Sequence, residues 1–198
     1  MDLEDSETAA GAVHPRFDER VFAAAEIECL RRSRAPERLR WVLWAAKESA
    51  YKVAKKLDPR TIFSPSRIVV ELDAANLGSV RVGGRRFSIV ARVERAVCHV
   101  IACADLPRGM IVVSGLRRLV GDARATSRAG SLARRFTIDE MTPWLGVRAG
   151  DLELVSEDRV PRLRLSGRPV PADVSLSHHG RFVAFACAVG GVSVRASA

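Results

Sequence analysis

This chain of 198 residues has few aromatic side chains and no long apolar segment. Aromatic residues make up 6% of it, with a single tyrosine, whereas nucleic-acid modules usually place aromatics among their basic residues. The longest strongly apolar run, 182–189, is far too short to span a bilayer, and residues 1–5 do not resemble a secretory signal. The sequence therefore favours a cytoplasmic protein without a membrane span, and nucleic acid is not the expected partner.

The net charge of +9 is more informative than the apolar (47%) and charged (28%) fractions, which are ordinary for a soluble protein. A positive balance of this size suits an acidic protein, a phosphorylated ligand, nucleic acid or an anionic membrane. The few cysteines lack the paired spacing of a metal site, which predicts buried thiols.

Lysine is also scarce. Only four of the 32 basic side chains are lysines, all within residues 47–56, and the other 28 are arginines. Lysine carries a compact charge whose pKa can be moved and which can release a proton, unlike the guanidinium of arginine. This concentration predicts a site that handles phosphate and a leaving group.

Hydrophobic periodicity predicts helices and short strands in two successive sets. Apolar residues recur at helical spacing in 18–32 and 36–57. Small polar residues in 121–131 predict a linker, and a helix follows near 131–141. The predicted strands are 67–72, 87–93 and 97–104 in the first set, and 152–155, 162–165, 173–177 and 181–189 in the second.

The two sets are similar in order and spacing. Their first strands and their last strands are related by a common offset of about 85 residues, which indicates an internal repeat. We therefore predict an α+β fold of two similar halves, 1–122 and 123–198, each a small antiparallel sheet packed with a long helix.

Glu48 and Lys52 lie four residues apart in the long predicted helix and therefore share a face, with Trp44 one turn earlier. A carboxylate and an ammonium at this spacing also form an ordinary surface pair worth about 0.3–0.5 kcal/mol. Lys55 and Lys56 have a similar alternative, since cations near a helix C-terminus interact favourably with its dipole. Spacing alone leaves both interpretations open.

A second polar group follows the predicted strand 173–177, where Ser175, Ser177, His178 and His179 precede a glycine turn. Hydroxyl groups and imidazoles donate hydrogen bonds to phosphate oxygens, and a rigid strand end is a good position for binding residues. No third ligand lies at metal spacing, which argues against zinc. Turn residues without a ligand are the alternative.

Three motifs, which follow the family's order and span most of the chain, resemble those of the 4′-phosphopantetheinyl transferase superfamily. The most specific is Trp/Phe-x-x-Lys-Glu-Ser/Ala-x-x-Lys in the long helix. An Arg-Phe-x-x-Arg-Val-Phe-x-x-x-Glu stretch precedes it, and a Ser-x-Ser-His element follows near the end. The matching residues are Arg16, Phe17, Arg20, Val21, Phe22 and Glu26, then Trp44, Lys47, Glu48, Ser49 and Lys52, then Ser175, Ser177, His178, Gly180, Arg181 and Phe182.

The resemblance implies transfer of 4′-phosphopantetheine from coenzyme A to a serine of an acyl- or peptidyl-carrier protein, with Mg²⁺ as the metal. Glu48 would bind the metal, and it or a metal-bound water would take the serine proton. Lys52 would stabilise or protonate the departing 3′,5′-ADP, and would hold phosphates together with Lys47, His178 and Ser177.

The resemblance also implies an architecture and a partner. Short family members of the holo-acyl-carrier-protein synthase type build each site between two subunits, whereas longer ones fold as a pseudo-dimer with one site between halves. Because the lysine–glutamate motif and the Ser177–His178 motif lie in different halves here, we expect a monomeric pseudo-dimer. Arg16 and Arg20 are expected to contact an acidic carrier protein, which the net charge would attract.

One family element is missing. Members carry an early Gly-x-Asp motif whose aspartate binds magnesium, whereas this chain begins Met1-Asp2-Leu3. The expectation is a start site assigned too late; the alternatives are that Asp2 or Glu4 substitutes as a metal ligand, or that the metal site has decayed. A decayed binder of coenzyme A or of a carrier protein is therefore the competing function, and a basic nucleic-acid-binding protein is the third.

Overall fold

The structure is a computed structural model that describes residues 1–3, 14, 16–119 and 126–190. It has an α+β fold with antiparallel sheets, which confirms the predicted fold class. Within these ranges, no helix combines the length and the apolar character needed to cross a membrane.

The backbone divides into two compact units, Met1–Asp105 and Leu106–Ala198, called the first and the second unit below. The predicted boundary between residues 122 and 123 falls outside the described residues. The elements of each unit pair within that unit, so each can be described by itself.

Residues 17–32 of the first unit form two short helices, α1 (Phe17–Val21) and α2 (Ala24–Arg32), so the prediction of a single helix there was wrong. The backbone is extended between them at Phe22 and Ala23, with ψ angles of 147° and 159°. Phe22 is buried at this point, and the Glu26 carboxylate accepts a hydrogen bond of 2.7 Å from the Ala23 amide. Tertiary packing and this cap of α2 therefore outweigh helical periodicity.

The long helix α3 (Pro36–Leu57) has its predicted range. Pro36 occupies the first turn, where its missing N–H costs no helical hydrogen bond, and Pro59 disfavours a helical conformation at Asp58. One face of α3 packs on the sheet of the first unit. The buried apolar residues of the helix are Val42, Leu43, Ala45, Ala46, Ala50 and Ala54.

Four antiparallel strands form the sheet of the first unit, in the order β1-β2-β3-β4. Phe87, Ile89 and Val100 are buried in the core shared with α3, whereas Val90 points to the other face and is 44% exposed. Strand β2 was not predicted, because Gly78 weakens its strand signal. The strands are β1 (Val69–Leu72), β2 (Leu77–Val82), β3 (Arg85–Val93) and β4 (Cys98–Cys103).

The second unit contains the sheet β5-β10-β9, a smaller sheet β6-β7-β8 and one long helix, α4. The rings of Phe136 in α4 and Phe185 in β10 meet edge to face, with centroids 5.4 Å apart. Gly115 of β5 lies beneath both rings, and a Cβ there would come within 2.5 Å of Phe185. The elements are β5 (Met110–Arg118), α4 (Thr126–Leu145), β6 (Leu152–Glu157), β7 (Val160–Leu165), β8 (Arg168–Pro169), β9 (Ala172–His179) and β10 (Phe182–Gly190).

Two predictions for the second unit are corrected. Helix α4 is longer than predicted and includes residues 126–131 of the predicted linker, because Ala129 and Ala133 of its small-residue start are buried. Strands β5 and β8 were missed. His178 and His179 lie within β9, and Gly180, with a φ of 51°, makes the turn that follows.

Candidate active site

Helix α3 places Glu48 and Lys52 on one face, as predicted from their spacing. Burial raises the pKa of the Glu48 carboxyl, and outweighs the opposing influence of Lys52, the amino terminus of Met1 and a hydrogen bond with the Trp44 side chain. Burial also lowers the pKa of Lys52, against the attraction of Glu48 and together with repulsion from Lys56. Both shifts bring the pKa values closer to neutral pH. The Glu48 carboxylate therefore accepts a proton more readily there, and the Lys52 ammonium donates one more readily.

Aromatic rings cover the neighbouring side of α3. Trp44 contacts Phe17 of α1 and Phe63, with centroids 5.7 Å apart in each pair. Tyr51 contacts Phe63 as well, at 4.8 Å. Because Phe63 follows α3 in the chain, residues 58–68 fold back along the helix, and we call them the return segment. The rings reduce access of water to this face, which is consistent with the burial of the charged pair.

Lys47 lies on a different side of α3, and its side chain is 0% exposed. Its Nζ donates hydrogen bonds to both carboxylate oxygens of Glu26, at 2.7 and 2.9 Å. It also donates to the carbonyls of Pro65, at 3.0 Å, and of Ile68. The ring of Phe22 lies 5.5 Å from the ammonium and closes the remaining side. The predicted phosphate ligand Lys47 is thus surrounded by groups of the protein itself.

Glu26, the partner of Lys47, is 3% exposed and fully hydrogen-bonded. One of its oxygens accepts from the Ala23 amide at 2.7 Å, and the other from the Val70 amide at 2.8 Å. These two amides belong to the start of α2 and to β1, so the carboxylate joins three elements around one ion pair. A buried pair is tolerated when hydrogen bonds satisfy its remaining polar groups, as they do here.

The last turn of α3 also binds the return segment. Lys55 Nζ donates to the carbonyls of Pro59, at 2.5 Å, and of Thr61, at 3.0 Å, in an exposed position. Two of the four lysines therefore hold carbonyl groups of the same segment. The cluster of lysines serves structure as well as the predicted chemistry.

Asp2, the tentative metal ligand, is fully buried and bridges Val97 ahead of β4. The amino terminus of Met1 donates to the Cys98 carbonyl at 2.8 Å. Among the described residues, no three His, Cys, Asp or Glu side chains are arranged to hold a metal ion. The alternative ligand Glu4 lies outside those residues, and a metal role of Asp2 stays a prediction.

Arg16 and Arg20, the predicted carrier contacts, are exposed at the two ends of α1. The Asp18 carboxylate of the same helix accepts two hydrogen bonds from Arg40 of α3, at 2.7 and 2.9 Å. This bidentate pair fixes α1 against α3. The helix therefore presents its arginines from a defined position.

Ser177 and His178 are both exposed near the end of β9. Successive residues of a strand point to opposite faces, so these two side chains lie on opposite faces of their sheet. In the pairing with β10, Ser177 is opposite Ala184 and His178 is opposite Val183. Only His178 shares its face with the core of the second unit, where Val183 is buried.

Sequence reasoning missed two features of the first unit. The pairing of Glu26 with Lys47 has no local signal, because the partners are 21 residues apart. His99 of β4 also escaped notice; burial lowers its pKa to about 4, with the positive charges of the amino terminus and Arg92 contributing. The imidazole is therefore neutral near pH 7.

A sequence model of the 4′-phosphopantetheinyl transferase superfamily matches residues 1–104, which is more than half of the chain. The chain belongs to this superfamily. The resemblance inferred from the three motifs is thereby confirmed, and the family consists of transferases of phosphopantetheine. The match includes Glu48 and Lys52, whereas Ser177 and His178 lie beyond it. No curated protein and no solved structure matches the chain significantly.

Glu48 is well suited to the metal that a phosphopantetheinyl transferase implies. Mg²⁺ prefers hard oxygen ligands and is commonly held by one or two carboxylates together with phosphate groups of the substrate and water. A nearby cation would favour the charged form of Glu48, which burial disfavours. The chemistry of the Glu48 carboxylate therefore fits Mg²⁺.

Proposed function

We propose that this chain transfers 4′-phosphopantetheine from coenzyme A to a serine hydroxyl of an acyl- or peptidyl-carrier protein, in a Mg²⁺-dependent reaction. The observation that carries the proposal is the partly buried Glu48–Lys52 pair of α3, in which burial raises one pKa and lowers the other. An ordinary surface pair has no such shifts, since solvent keeps both of its groups charged. The pair suits proton transfer during displacement at phosphorus.

The chemistry follows from these two side chains. The serine Oγ forms a bond to the phosphorus next to pantetheine, and its proton passes to the Glu48 carboxylate. The bond from that phosphorus to the bridging oxygen breaks, and 3′,5′-ADP leaves with the electron pair. Lys52 neutralises or protonates the departing phosphate. Magnesium bound at Glu48 would supply charge neutralisation on the pyrophosphate oxygens.

The topology of the two units supports a duplicated, pseudo-dimeric chain. In the first unit the Leu3 amide donates to the Ala96 carbonyl at 2.8 Å, just before β4. In the second unit the Leu119 amide donates to the Arg181 carbonyl at 2.7 Å, just before β10. In each unit a leading segment therefore pairs with the last strand, and a long helix and further strands come between them.

We assign Ser177 and His178 to contacts with coenzyme A phosphates. Both are exposed and able to donate hydrogen bonds to phosphate oxygens. Because they point to opposite faces of β9, we expect them to bind different groups of the cofactor.

The carrier protein is expected to be acidic. The net charge of +9 and the exposed Arg16 and Arg20 of α1 support an electrostatically guided encounter. The effect should appear mainly in the association rate and should weaken as ionic strength rises.

The test is the intact mass of apo acyl- and peptidyl-carrier proteins after incubation with this chain, coenzyme A and Mg²⁺. We expect a gain of one phosphopantetheine group, which EDTA and the Glu48→Gln substitution prevent. A carrier mutated at its acceptor serine is the matched control. No gain with any carrier, together with measurable binding of coenzyme A or of a carrier, would instead support the binder without turnover.

A further inference from the structure

We propose that Lys47, held by Glu26, is a positioning residue that fixes Glu48 and Lys52, rather than a ligand of phosphate. This inference rests on the proposed function and gives a role to Lys47, whose ammonium is enclosed by protein groups. The exposed fraction of the Lys47 side chain is 0%, so a phosphate could reach it only if the surrounding groups moved apart.

The contacts of Lys47 fill its capacity to donate. The ammonium has three protons, and it faces two carboxylate oxygens and two backbone carbonyls within hydrogen-bonding reach. A phosphate oxygen would have to displace one of these acceptors from the ammonium. The geometry therefore describes a completed structural site.

Lys47 connects the elements that surround the catalytic pair. Through Glu26 it is tied to the amide of Ala23 before α2 and to the amide of Val70 in β1. Directly, it binds the Pro65 and Ile68 carbonyls of the return segment. These contacts fix helix α3 on the side that Lys47 occupies.

A second route leads from Lys47 to Glu48 through aromatic contacts. The return segment carries Phe63, whose ring packs on Trp44 at 5.7 Å. Trp44 in turn lies one helical turn before Glu48, on the same face of α3. Loss of the Lys47 contacts should therefore loosen the return segment first, then the packing of Phe63 on Trp44, and finally the position of the Glu48 carboxylate.

The use of lysine at this position follows from the same geometry. An ammonium is compact and donates hydrogen bonds in several directions, whereas a guanidinium is planar and larger. The enclosure between Glu26, Phe22 and the two carbonyls has no exposed side into which an arginine could extend. We therefore expect that the larger side chain of Lys47→Arg does not fit this enclosure, although the substitution conserves the charge.

The kinetic test compares Glu26→Gln with the double variant Glu26→Gln/Lys47→Met. Lys47→Met alone leaves a buried carboxylate without a counter-charge and is expected to fold poorly, whereas the double variant removes both charges. We expect both tested variants to lower kcat about 10²-fold, the scale of a misplacement of about 1 Å, with KM for coenzyme A changed less than about threefold. Lys55→Met is the control, because it removes an exposed lysine that binds the same segment, and its kinetics should stay near wild type.

The opposite pattern would overturn the assignment. A phosphate-binding Lys47 predicts that the double variant raises KM for coenzyme A, whereas Glu26→Gln, which keeps the ammonium, leaves the kinetics near wild type. A wild-type kcat in the double variant would also contradict positioning. Each variant is assayed below its measured unfolding transition, so that loss of folded protein does not enter kcat.

A readout that needs no turnover separates this inference from the proposed function. Amide hydrogen exchange of the return segment, 58–68, is compared with exchange of β3 in the same variants. We expect exchange of the return segment to accelerate at least about tenfold in the double variant, while β3 stays close to wild type. Unchanged exchange would refute the anchoring role even if the chain transfers no phosphopantetheine, and accelerated exchange with no activity in wild type would refute the proposed function alone.

Discussion

Two lysine–glutamate pairs involve helix α3, and they differ in their surroundings: Lys47 pairs with Glu26 of α2, whereas Glu48 and Lys52 pair within α3 itself. In the Lys47–Glu26 pair, both side chains are buried and hydrogen bonds from backbone groups complete the site. In the Glu48–Lys52 pair, burial disfavours the charged form of each partner. Burial lowers the pKa of Lys47 as well, so what distinguishes the Lys47–Glu26 pair is the set of hydrogen bonds that ties it to neighbouring elements.

The comparison shows that a lysine and a glutamate can serve structure in one pair and chemistry in another, with α3 contributing to both. A satisfied pair has no remaining capacity for a ligand, since every donor and acceptor already has a protein partner. A pair in which burial raises the pKa of the carboxyl and lowers that of the ammonium exchanges protons more readily near neutral pH. The substitutions below separate the two pairs by activity and by stability.

The largest expected effect is that of Glu48→Gln on transfer. The substitution keeps size and removes both the proton acceptor and the proposed metal ligand, so we expect kcat to fall about 10³-fold or more. Carrier modification followed by mass spectrometry measures the rate, and far-UV circular dichroism checks the fold. Turnover near that of wild type would remove Glu48 from the chemistry.

Lys52→Arg should have the next largest effect, a loss of about 10²-fold in kcat. Arginine preserves the charge but holds its proton too tightly to donate it to the departing phosphate. Steady-state kinetics with coenzyme A as the varied substrate measure the loss. A wild-type rate would show that only the charge of Lys52 matters.

The pH profile of kcat/KM should report the pKa values of Glu48 and Lys52, the pair assigned to the chemistry. Glu48 must be ionised to accept a proton. Burial raises its pKa, whereas bound Mg²⁺ would favour the ionised form, so the acid limb should lie higher at limiting than at saturating Mg²⁺. Lys52 must be protonated to donate, and its pKa is lowered, so the alkaline limb should lie below its ordinary value of 10.5. Profiles of the wild type and of Lys52→Arg measure both limbs. The alkaline limb should move upward or vanish in Lys52→Arg, and an unchanged limb would assign it to another group.

Part of this site could be predicted from the sequence, and the reason is that its information is local. The spacing of Glu48 and Lys52 within one helix fixes their common face, and the motif around them identifies the family. Helix α3 was predicted over its full range because proline residues mark its start and follow its end.

Other parts depend on residues that are distant in sequence. The Glu26 carboxylate meets Lys47 and Val70 across gaps of 21 and 44 residues, and no periodicity reports such a contact. The same carboxylate caps α2 at Ala23, which explains why the single predicted helix divides in two. Strand β2 was missed for a related reason, because its pairing with β1 and β3 compensates for weak intrinsic propensity.

The free energy of unfolding should depend more on the Lys47–Glu26 pair than on the Glu48–Lys52 pair, which is the opposite of the order expected for activity. Glu26→Gln leaves the buried Lys47 ammonium without its counter-charge, and we expect a loss of about 3 kcal/mol in the free energy of unfolding. Glu48→Gln should leave stability unchanged or slightly raised. The pKa of Glu48 is higher in the folded chain than in the unfolded chain. Its contribution to stability is therefore present below the unfolded-state pKa and is lost as pH rises through the folded-state pKa. At pH 7 the ionised carboxylate thus lowers the free energy of unfolding. Urea unfolding at pH 7 measures both variants, and equal losses would erase the distinction between the pairs.

The smallest expected effect belongs to Lys55→Met, which completes the comparison on the same helix. Lys55 donates to two carbonyls of the return segment, as Lys47 does, but from an exposed position. Water can replace those hydrogen bonds, so the free energy of unfolding should change by less than about 1 kcal/mol. Urea unfolding under the conditions used for Glu26→Gln gives the direct comparison. A loss as large as that of Glu26→Gln would mean that anchoring of the return segment, and not burial of the ion pair, sets the stability of the first unit.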